Sequence, residues 1–354
     1  MVKITSNSLH TTTSIAIINA MKKDTMRRYI HPTILSLLLL SSPVYATVIK
    51  IATLSPDGTS WMKTMRGAAK EIAQLTDNRV KIKYYPGGVM GDENAILRKM
   101  RINQLQGAAV TSGALTRYFK DADIYGMPFL FSSQKEVGYV REHMDKLIID
   151  GLAKNGLISY GLAESGFAYI LSNAAIKSVS DLRKQKVWIP DTTSARDAAK
   201  AFSLKSIPLP ISDVLAGLQT HLVDTIAAPP IASIALQWHS QVKYLTNMPL
   251  LYGWGTLVIS KKTLKKLSKK DQTTMHKVMS RTFKGIDLQN KKDNVAALAA
   301  LKNQGINFIK PNQEQHKEWK SLALLANQQL VKNGINSKKM FALITKLIND
   351  YKMK

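Results

Sequence analysis

Two short segments near the start of the chain alternate between apolar and polar residues, and a segment with helical spacing separates them. Residues 48–53 and 80–85 show the two-residue period of half-buried strands. Between them, apolar residues recur every three or four positions from Trp61 to Leu75. This βαβ opening predicts an α/β protein. The first strand-to-helix turn, at Leu54 and Ser55, offers backbone amides to a polar ligand group.

Three further predicted strands end in residues that suit a ligand site. Val187-Trp188-Ile189 is stopped by Pro190, and a helix over residues 214–220 leads into a strand that ends at Pro229. A third short strand, in residues 106–113, carries the polar tip Thr111-Ser112. Because open α/β sheets bind ligands at the carboxyl ends of their strands, we expect these ends to form the functional site.

Two long extended segments are candidates for strands that cross between domains. They cover residues 158–172 and 250–260. After residue 269 the apolar spacing is almost wholly helical, with helices predicted over 269–303, 314–332 and 337–351.

The first 46 residues fit a secretory signal peptide. Basic side chains at positions 22–28 precede the apolar run 34–40, and Val44 and Ala46 occupy the positions that a signal peptidase recognises. The apolar run is too short to span a bilayer. We therefore predict cleavage after Ala46 and export of a soluble protein to the periplasm. Met21 or Met26 is a more natural start than Met1, which would make residues 1–20 an untranslated extension; a buried helix is the alternative for the apolar run.

Composition narrows the classes of function. The chain has no cysteine, which excludes disulfides, thiolate catalysis and a lipidated N-terminal cysteine. Loss of residues 1–46 removes five basic and one acidic side chain and lowers the formal charge from +26 to +22. The densest basic run, in residues 261–270, lacks the interleaved aromatics of a nucleic-acid surface, so we expect a solvated helical face and no nucleic-acid partner. Attraction of small anions or of an anionic membrane surface stays open.

The familiar enzyme motifs are absent from the sequence. The glycine-rich loop at residues 86–93 has neither the lysine of a phosphate loop nor the three-glycine dinucleotide pattern. Ser165 lacks the glycine two residues earlier that a nucleophile elbow requires. The seven histidines show no metal-ligand spacing. Asp191 and Asp224 could act as an acid–base pair only if the fold brought them together, so we expect neither an enzyme, nor a metal, nor a cofactor.

A set of short motifs, each weak by itself, carries a resemblance to a family. In this order and spacing, they make the chain resemble the periplasmic solute receptors of TRAP transporters, of the C4-dicarboxylate-binding (DctP) type. The resemblance covers nearly all of residues 48–350. The motifs are Tyr85-Pro86-Gly87-Gly88, Met90-Gly91-Asp92, Met127-Pro128-Phe129, Ser172-Asn173 with Ile176 and Asp181-Leu182, Val187-Trp188-Ile189-Pro190, and Leu218-Gln219-Thr220 with Val223-Asp224.

The resemblance implies a two-domain periplasmic-binding-protein fold that is type II-like. A hinge would connect the two domains, and a long helix would span both. Domain I would comprise residues 47–165 plus about 254–293, and domain II residues 166–253 plus about 294–354. It also implies that the protein captures a small organic solute by cleft closure and delivers it to the membrane subunits of a TRAP transporter, without catalysis.

The sequence departs from the family at three positions that contact the substrate carboxylate. The arginine of the family's motif falls at Trp188, a second arginine at Ala168, and an asparagine at Ala228. A carboxylate buried without an arginine would carry a heavy desolvation penalty. We therefore expect a larger, flatter or less charged solute than a simple dicarboxylate.

The predicted binding residues combine these positions with the strand ends. An alternative for Trp188 is a place in the core beneath its strand, and Phe167 and Trp254 could belong to the hinge core instead of the cleft. An exported interaction protein that has lost transport is the alternative function, with a hydrolytic enzyme behind it. The predicted binding residues are Leu54, Ser55, Thr111, Ser112, Phe167, Ala168, Trp188, Ala228 and Trp254.

Overall fold

A computed structural model describes residues 46–354 of the chain, so all of the predicted signal peptide except Ala46 lies outside the described residues. The strands in this part of the chain are β1 Thr47–Thr53, β2 Val80–Tyr85, β3 Gly107–Thr111, β4 Leu157–Ser159, β5 Ala163–Ser172, β6 Lys186–Ile189, β7 Lys205–Pro208, β8 Thr225–Ala228, β9 Tyr244–Ser260 and β10 Asn307–Ile309. Apart from β5 and β9, they are short.

Most of the helices begin at a side chain that caps the first turn, as Thr59 does by accepting a hydrogen bond from the amide of Met62. Asp92, Ser133, Thr192 and Ser268 cap in the same way. The helices are α1 Ser60–Leu75, α2 Glu93–Arg101, α3 Ser112–Leu115, α4 Gln134–Lys154, α5 Val179–Arg183, α6 Thr193–Ala201, α7 Val214–Gln219, α8 Pro230–Ala235, α9 Lys261–Leu264, α10 Lys269–Asn303, α11 Gln313–Lys332 and α12 Lys338–Lys352, with 3₁₀ turns at Lys120–Gly126, Ile211–Asp213 and Trp238–Gln241.

One continuous mixed sheet runs through the described residues, in the order β2-β1-β3-β9-β5-β8-β6-β7, with β4 and β10 also paired to β9. At one end β1 is parallel to β2 and β3, and at the other β6 is parallel to β7 and β8. Antiparallel β5 and β9 lie between the two groups. We call the β1–β3 end with its helices the first lobe, and the β6–β8 end with its helices the second lobe.

The lobes have separate hydrophobic cores. Two clusters cover the two faces of the first lobe and two cover those of the second. The long helix α10 packs on α1 of the first lobe and on α8 of the second, so it spans both. The last helix, α12, places Met340, Ile344 and Leu347 in a first-lobe cluster beside α4.

These observations confirm the predicted fold class, a mixed α/β sheet with two lobes, crossing strands and a spanning helix. The domain boundaries stay a prediction. At the C-terminus, however, the contacts of α12 favour the first lobe over the predicted second domain. Among the described helices, none has the length and apolar character that a bilayer crossing requires.

Candidate functional site

A cavity of ≈ 820 Å³ lies where the two lobes meet, against β5 and β9. Its volume is typical of a site for a small organic molecule. The carboxyl ends of strands from both lobes line it, as expected for an open α/β sheet. These ends carry Thr53 and Leu54 at the end of β1, Thr111 and Ser112 at the end of β3, Pro190 at the end of β6, and Ala228 and Pro229 at the end of β8.

The structure brings eight of the nine predicted residues to this cavity. The ninth, Phe167, is not among the lining residues, and its ring packs edge to face on Tyr252 at 5.5 Å between centroids. Successive residues of a strand point to opposite faces, so Ala168 faces the cavity and Phe167 does not. The eight are Leu54, Ser55, Thr111, Ser112, Ala168, Trp188, Ala228 and Trp254. Their role in solute binding stays a prediction.

The polar side chains at the tip of β3 are already engaged by carboxyl groups of the protein. Thr111 donates to Glu93 from its amide (2.6 Å) and from its hydroxyl (2.9 Å). Ser112 donates to Asp123 Oδ1 at 2.6 Å. Neither hydroxyl has its proton free for a solute, so the tip presents two carboxyl groups rather than two donors. Sequence reasoning missed both Glu93 and Asp123.

Trp188 lines the cavity and also belongs to the second-lobe core. Its Nε1 donates to the carbonyl of Leu209 at 3.0 Å, and its ring lies edge to face on Trp238 at 5.3 Å. Only 5% of the residue is exposed. It therefore offers the cavity an apolar surface without a free donor.

Trp254, on the crossing strand β9, is 1% exposed and lines the same cavity. Its Nε1 is buried and has no hydrogen-bond partner among the described residues. A buried donor left without an acceptor costs about 1–3 kcal/mol.

Of the lining residues in the described part of the chain, none is Lys, Arg or His, whereas four carry carboxyl groups. The four are Glu93, Asp123, Glu164 and Asp293. Burial raises the pKa of the Asp123 carboxyl to about 6, against the opposing effect of hydrogen bonds from Ser112 and Ser194. Burial likewise raises the pKa of Glu93 and of Glu164. No group of three or more potential metal ligands occurs among residues 46–354.

Asp123 also joins the two lobes. It sits in the 3₁₀ turn Lys120–Gly126 of the first lobe, and Ser194 near the start of α6 in the second lobe donates to it at 3.5 Å. Beside this contact, Gly113 faces the methyl group of Thr192. The residues of this turn show neither the two-residue period of a strand nor the spacing of a helix, so the sequence pattern did not single out Asp123. The one indication in the sequence was that an acidic side chain follows the predicted tip of β3.

The hinge between the lobes is held by side chains of the spanning helix. Asn290 donates to the carbonyl of Glu164 at 2.7 Å, and Asn294 donates to that of Ser165 at 2.9 Å. The register of β5 and β9 shifts between Glu164 and Gly166, where Gly166 has a φ of +91°. A two-lobed cleft with a cavity of this size suits the binding of a small solute.

Comparison with known families decides between receptor and enzyme. Residues 51–333 match the family described as bacterial extracellular solute-binding protein, family 7, also named DctP. The chain belongs to this family. Family 7 consists of solute receptors and not of enzymes, and its members act outside the cytoplasm.

The curated relatives of this family 7 chain are distant. The sialic acid-binding periplasmic protein SiaP of Vibrio cholerae is 21% identical over 290 residues, which cover 80% of this chain and 89% of SiaP. The C4-dicarboxylate-binding periplasmic protein DctP of Rhodobacter capsulatus is 20% identical over 266 residues, or 73% of this chain and 79% of DctP.

Solved structures share the fold of the family 7 chain. The sugar acid binding protein DctPAm of Advenella mimigardefordensis, in complex with galactonate, superposes with a TM-score of 0.79 at 19% identity and covers 87% of this chain and 99% of its own. DctP7 of Bordetella pertussis, a receptor binding pyroglutamic acid, gives a TM-score of 0.78 at 15% identity and covers 86% and 100%.

Proposed function

We propose that this chain is a periplasmic receptor that captures a small organic solute in the cavity between its lobes and delivers it to the membrane subunits of a TRAP-type transporter. Its place in family 7 supports the receptor role. The observation that carries the proposal is the ≈ 820 Å³ cavity, because it lies at the strand ends of both lobes and beside the hinge strands. Closure of the lobes would bury the solute on all sides.

The relatives with known solutes bind organic acids, but the lining of this cavity favours another solute. Trp188, Ala168 and Ala228 replace the two arginines and the asparagine that the family resemblance implies, and all three line the cavity. Among the described residues no cationic side chain takes over the role of the missing arginines. A carboxylate placed here would lose its hydration without gaining a cationic partner among the described residues. We therefore propose a solute other than a simple dicarboxylate.

Native mass spectrometry of the chain without its first 46 residues tests the receptor role. We expect a small molecule to co-purify with the protein or to be taken up from a solute library. Ala296→Trp should prevent this, because Ala296 lines the cavity and a tryptophan there would fill part of it. Ala299→Trp is the matched control, since Ala299 is an exposed residue of the same helix that does not line the cavity.

The outcomes separate this proposal from its alternative. A solute held by the wild-type protein and by Ala299→Trp, but not by Ala296→Trp, supports a receptor. A protein that carries no solute and takes up none from a library of acids, neutral molecules and amines contradicts it. Salt-sensitive binding to anionic vesicles in that case would favour an exported interaction protein that has lost transport.

A further inference from the structure

The interior of the cavity and the surface of the protein have opposite charge. The chain carries a formal charge of +26, yet each ionisable side chain that lines the cavity within the described residues is a carboxyl group or the phenol of Tyr252. In a lysine-rich protein, this distribution leaves an acidic site whose lining, within the described residues, contains no basic side chain.

Asp123 is the carboxyl group in this site that most clearly lacks a cation. Within the described residues, its oxygens accept hydrogen bonds only from the hydroxyls of Ser112, at 2.6 Å, and Ser194, at 3.5 Å. Of the buried carboxylates elsewhere in the described chain, Asp271 pairs with Arg79 at 2.9 Å and Glu136 with Lys352 at 3.7 Å, whereas Asp121 has hydrogen bonds from Ser337 alone. A carboxylate in a cavity wall without a cationic partner would gain from a ligand that supplies the positive charge.

A second carboxyl group, that of Glu93, is held at the same strand tip. Glu93 accepts from Thr111, and Asp123 accepts from the adjacent residue, Ser112. The two groups come from different elements, the start of α2 and the 3₁₀ turn Lys120–Gly126, and converge on the tip of β3. A cation bound at this tip would interact favourably with both.

The remaining wall of the cavity suits an apolar or aromatic body with a positive charge. Four tryptophans line it, and the faces of tryptophan rings attract ammonium groups more strongly than those of other aromatic residues. Trp254, whose Nε1 is buried and has no partner among the described residues, is one of them. The four are Trp61, Trp188, Trp238 and Trp254.

We propose that the solute of this receptor is an organic cation, an amine or quaternary ammonium compound whose charged nitrogen pairs with Asp123 and whose apolar body lies against the tryptophans. The inference rests on the proposed receptor function. It assigns to Asp123 the role of the charge-pairing residue, in place of the arginine that pairs with a carboxylate in the family pattern.

Isothermal titration calorimetry at neutral pH with a size-matched indole series tests the inference. The probes are tryptamine, tryptophol and indole-3-acetate, which share one ring system and carry a cation, a neutral hydroxyl and an anion. A panel of aliphatic amines, quaternary ammonium compounds, alcohols and carboxylates extends the series to other shapes. We expect the cationic members to bind at least about tenfold more tightly than their neutral and anionic counterparts, the range of one charge-assisted hydrogen bond.

Two variants assign the preference to Asp123. Asp123→Asn keeps the size of the side chain and removes its charge, so it should lower the affinity for the cation at least about tenfold and leave that for the alcohol nearly unchanged. Asp150→Asn is the control, because Asp150 pairs with Lys146 on α4 and does not line the cavity. Thermal unfolding of both variants checks that they are folded.

The results also distinguish this inference from the receptor function. Tighter binding of alcohols or carboxylates than of amines overturns the inference and leaves the receptor standing. Equal loss of cation and alcohol binding in Asp123→Asn overturns the role of that residue. Failure of every probe class, together with the absence of a co-purified solute, overturns both.

Discussion

Asp123 lies in an environment that should make the ligand-free protein more stable in mild acid. Burial raises its pKa to about 6 in the folded state, from a value of 3.8 when exposed. Between about pH 4 and pH 6 the folded protein thus binds more protons at this residue than the unfolded chain does, and the stability falls as the pH rises through that window.

Asp123→Asn removes this effect, so we expect it to raise the unfolding free energy of the ligand-free protein at pH 7.5 by about 1–3 kcal/mol. The gain should vanish near pH 4.5, where the wild-type carboxyl is largely protonated. Urea unfolding at the two pH values measures it, with Asp150→Asn as the exposed control. Equal stability of the wild type and Asp123→Asn at pH 7.5 would contradict the buried position.

Trp188 packs in the second-lobe core and also lines the cavity. A substitution can measure how much its hydrogen bond in the core contributes to stability. Trp188→Phe keeps an aromatic ring but leaves the carbonyl of Leu209 without its donor. We expect a loss of about 1–3 kcal/mol in the free energy of unfolding. Trp238→Phe is the matched control, because Trp238 shares the ring contact and the cavity but makes no hydrogen bond through its Nε1 to any of the described residues. Equal losses in the two variants would show that the hydrogen bond is not what matters.

At the scale of elements, the hinge depends on a glycine that no other residue can replace without strain. Gly166 has a φ of +91°, and a Cβ built there would lie 2.5 Å from Asn294 Nδ2. Gly166→Ala should therefore lower the free energy of unfolding by about 1–3 kcal/mol and weaken the contact between α10 and β5.

The control for this substitution is a glycine within a regular helix. Gly138 lies in α4 with open space around its would-be Cβ, so Gly138→Ala should raise the stability by about 0.5–1 kcal/mol. Chemical denaturation of the two variants compares them directly. A neutral Gly166→Ala variant would show that the hinge backbone can adopt another conformation.

Strands and helices whose apolar residues recur with a clear period could be predicted from the sequence, and those without such a period could not. The alternation in residues 80–85 gave the bounds of β2, and the helical spacing from Lys269 gave the whole of α10. Strand β7, by contrast, covers Lys205–Pro208, where the sequence has no clear two-residue period. Proline stops a strand, and here it marked the end of the element rather than its middle.

The candidate site was accessible to sequence reasoning where it lies on strand ends. Ser112 and Trp188 follow the rule for parallel sheets, and Ala168 was found through the family motif. Phe167 was included because it lies on the first crossing segment, although successive strand residues face opposite sides. Asp123 and Ser194 come together only through the approach of the two lobes, a long-range contact that local periodicity does not encode.

At the scale of the whole molecule, the positive surface should slow the arrival of a positive solute. The six lysines between Lys261 and Lys270 are all exposed, and they add to a field that repels cations at long range. Within the cavity, pairing with Asp123 acts at short range and is screened much less by salt.

We therefore expect the association rate of tryptamine to rise with ionic strength between about 0.02 and about 0.3 M salt, as the long-range repulsion is screened. The rate for neutral tryptophol should change little over the same range. Stopped-flow mixing measures both rates. A tryptamine association rate that falls with salt would mean that a negative local field already dominates outside the cavity entrance.

The placement of the tryptophans gives the protein a built-in optical reporter. Of the five in the chain, all within the described residues, four line the cavity, and the fifth, Trp319, is fully buried in the second-lobe core between α5 and α6. Indole emission responds to local polarity and to nearby charge, so a solute that displaces water from this cavity must alter the light that most of the tryptophans emit. Occupancy can thus be followed in the unlabelled protein, for any solute that does not itself fluoresce in the same range.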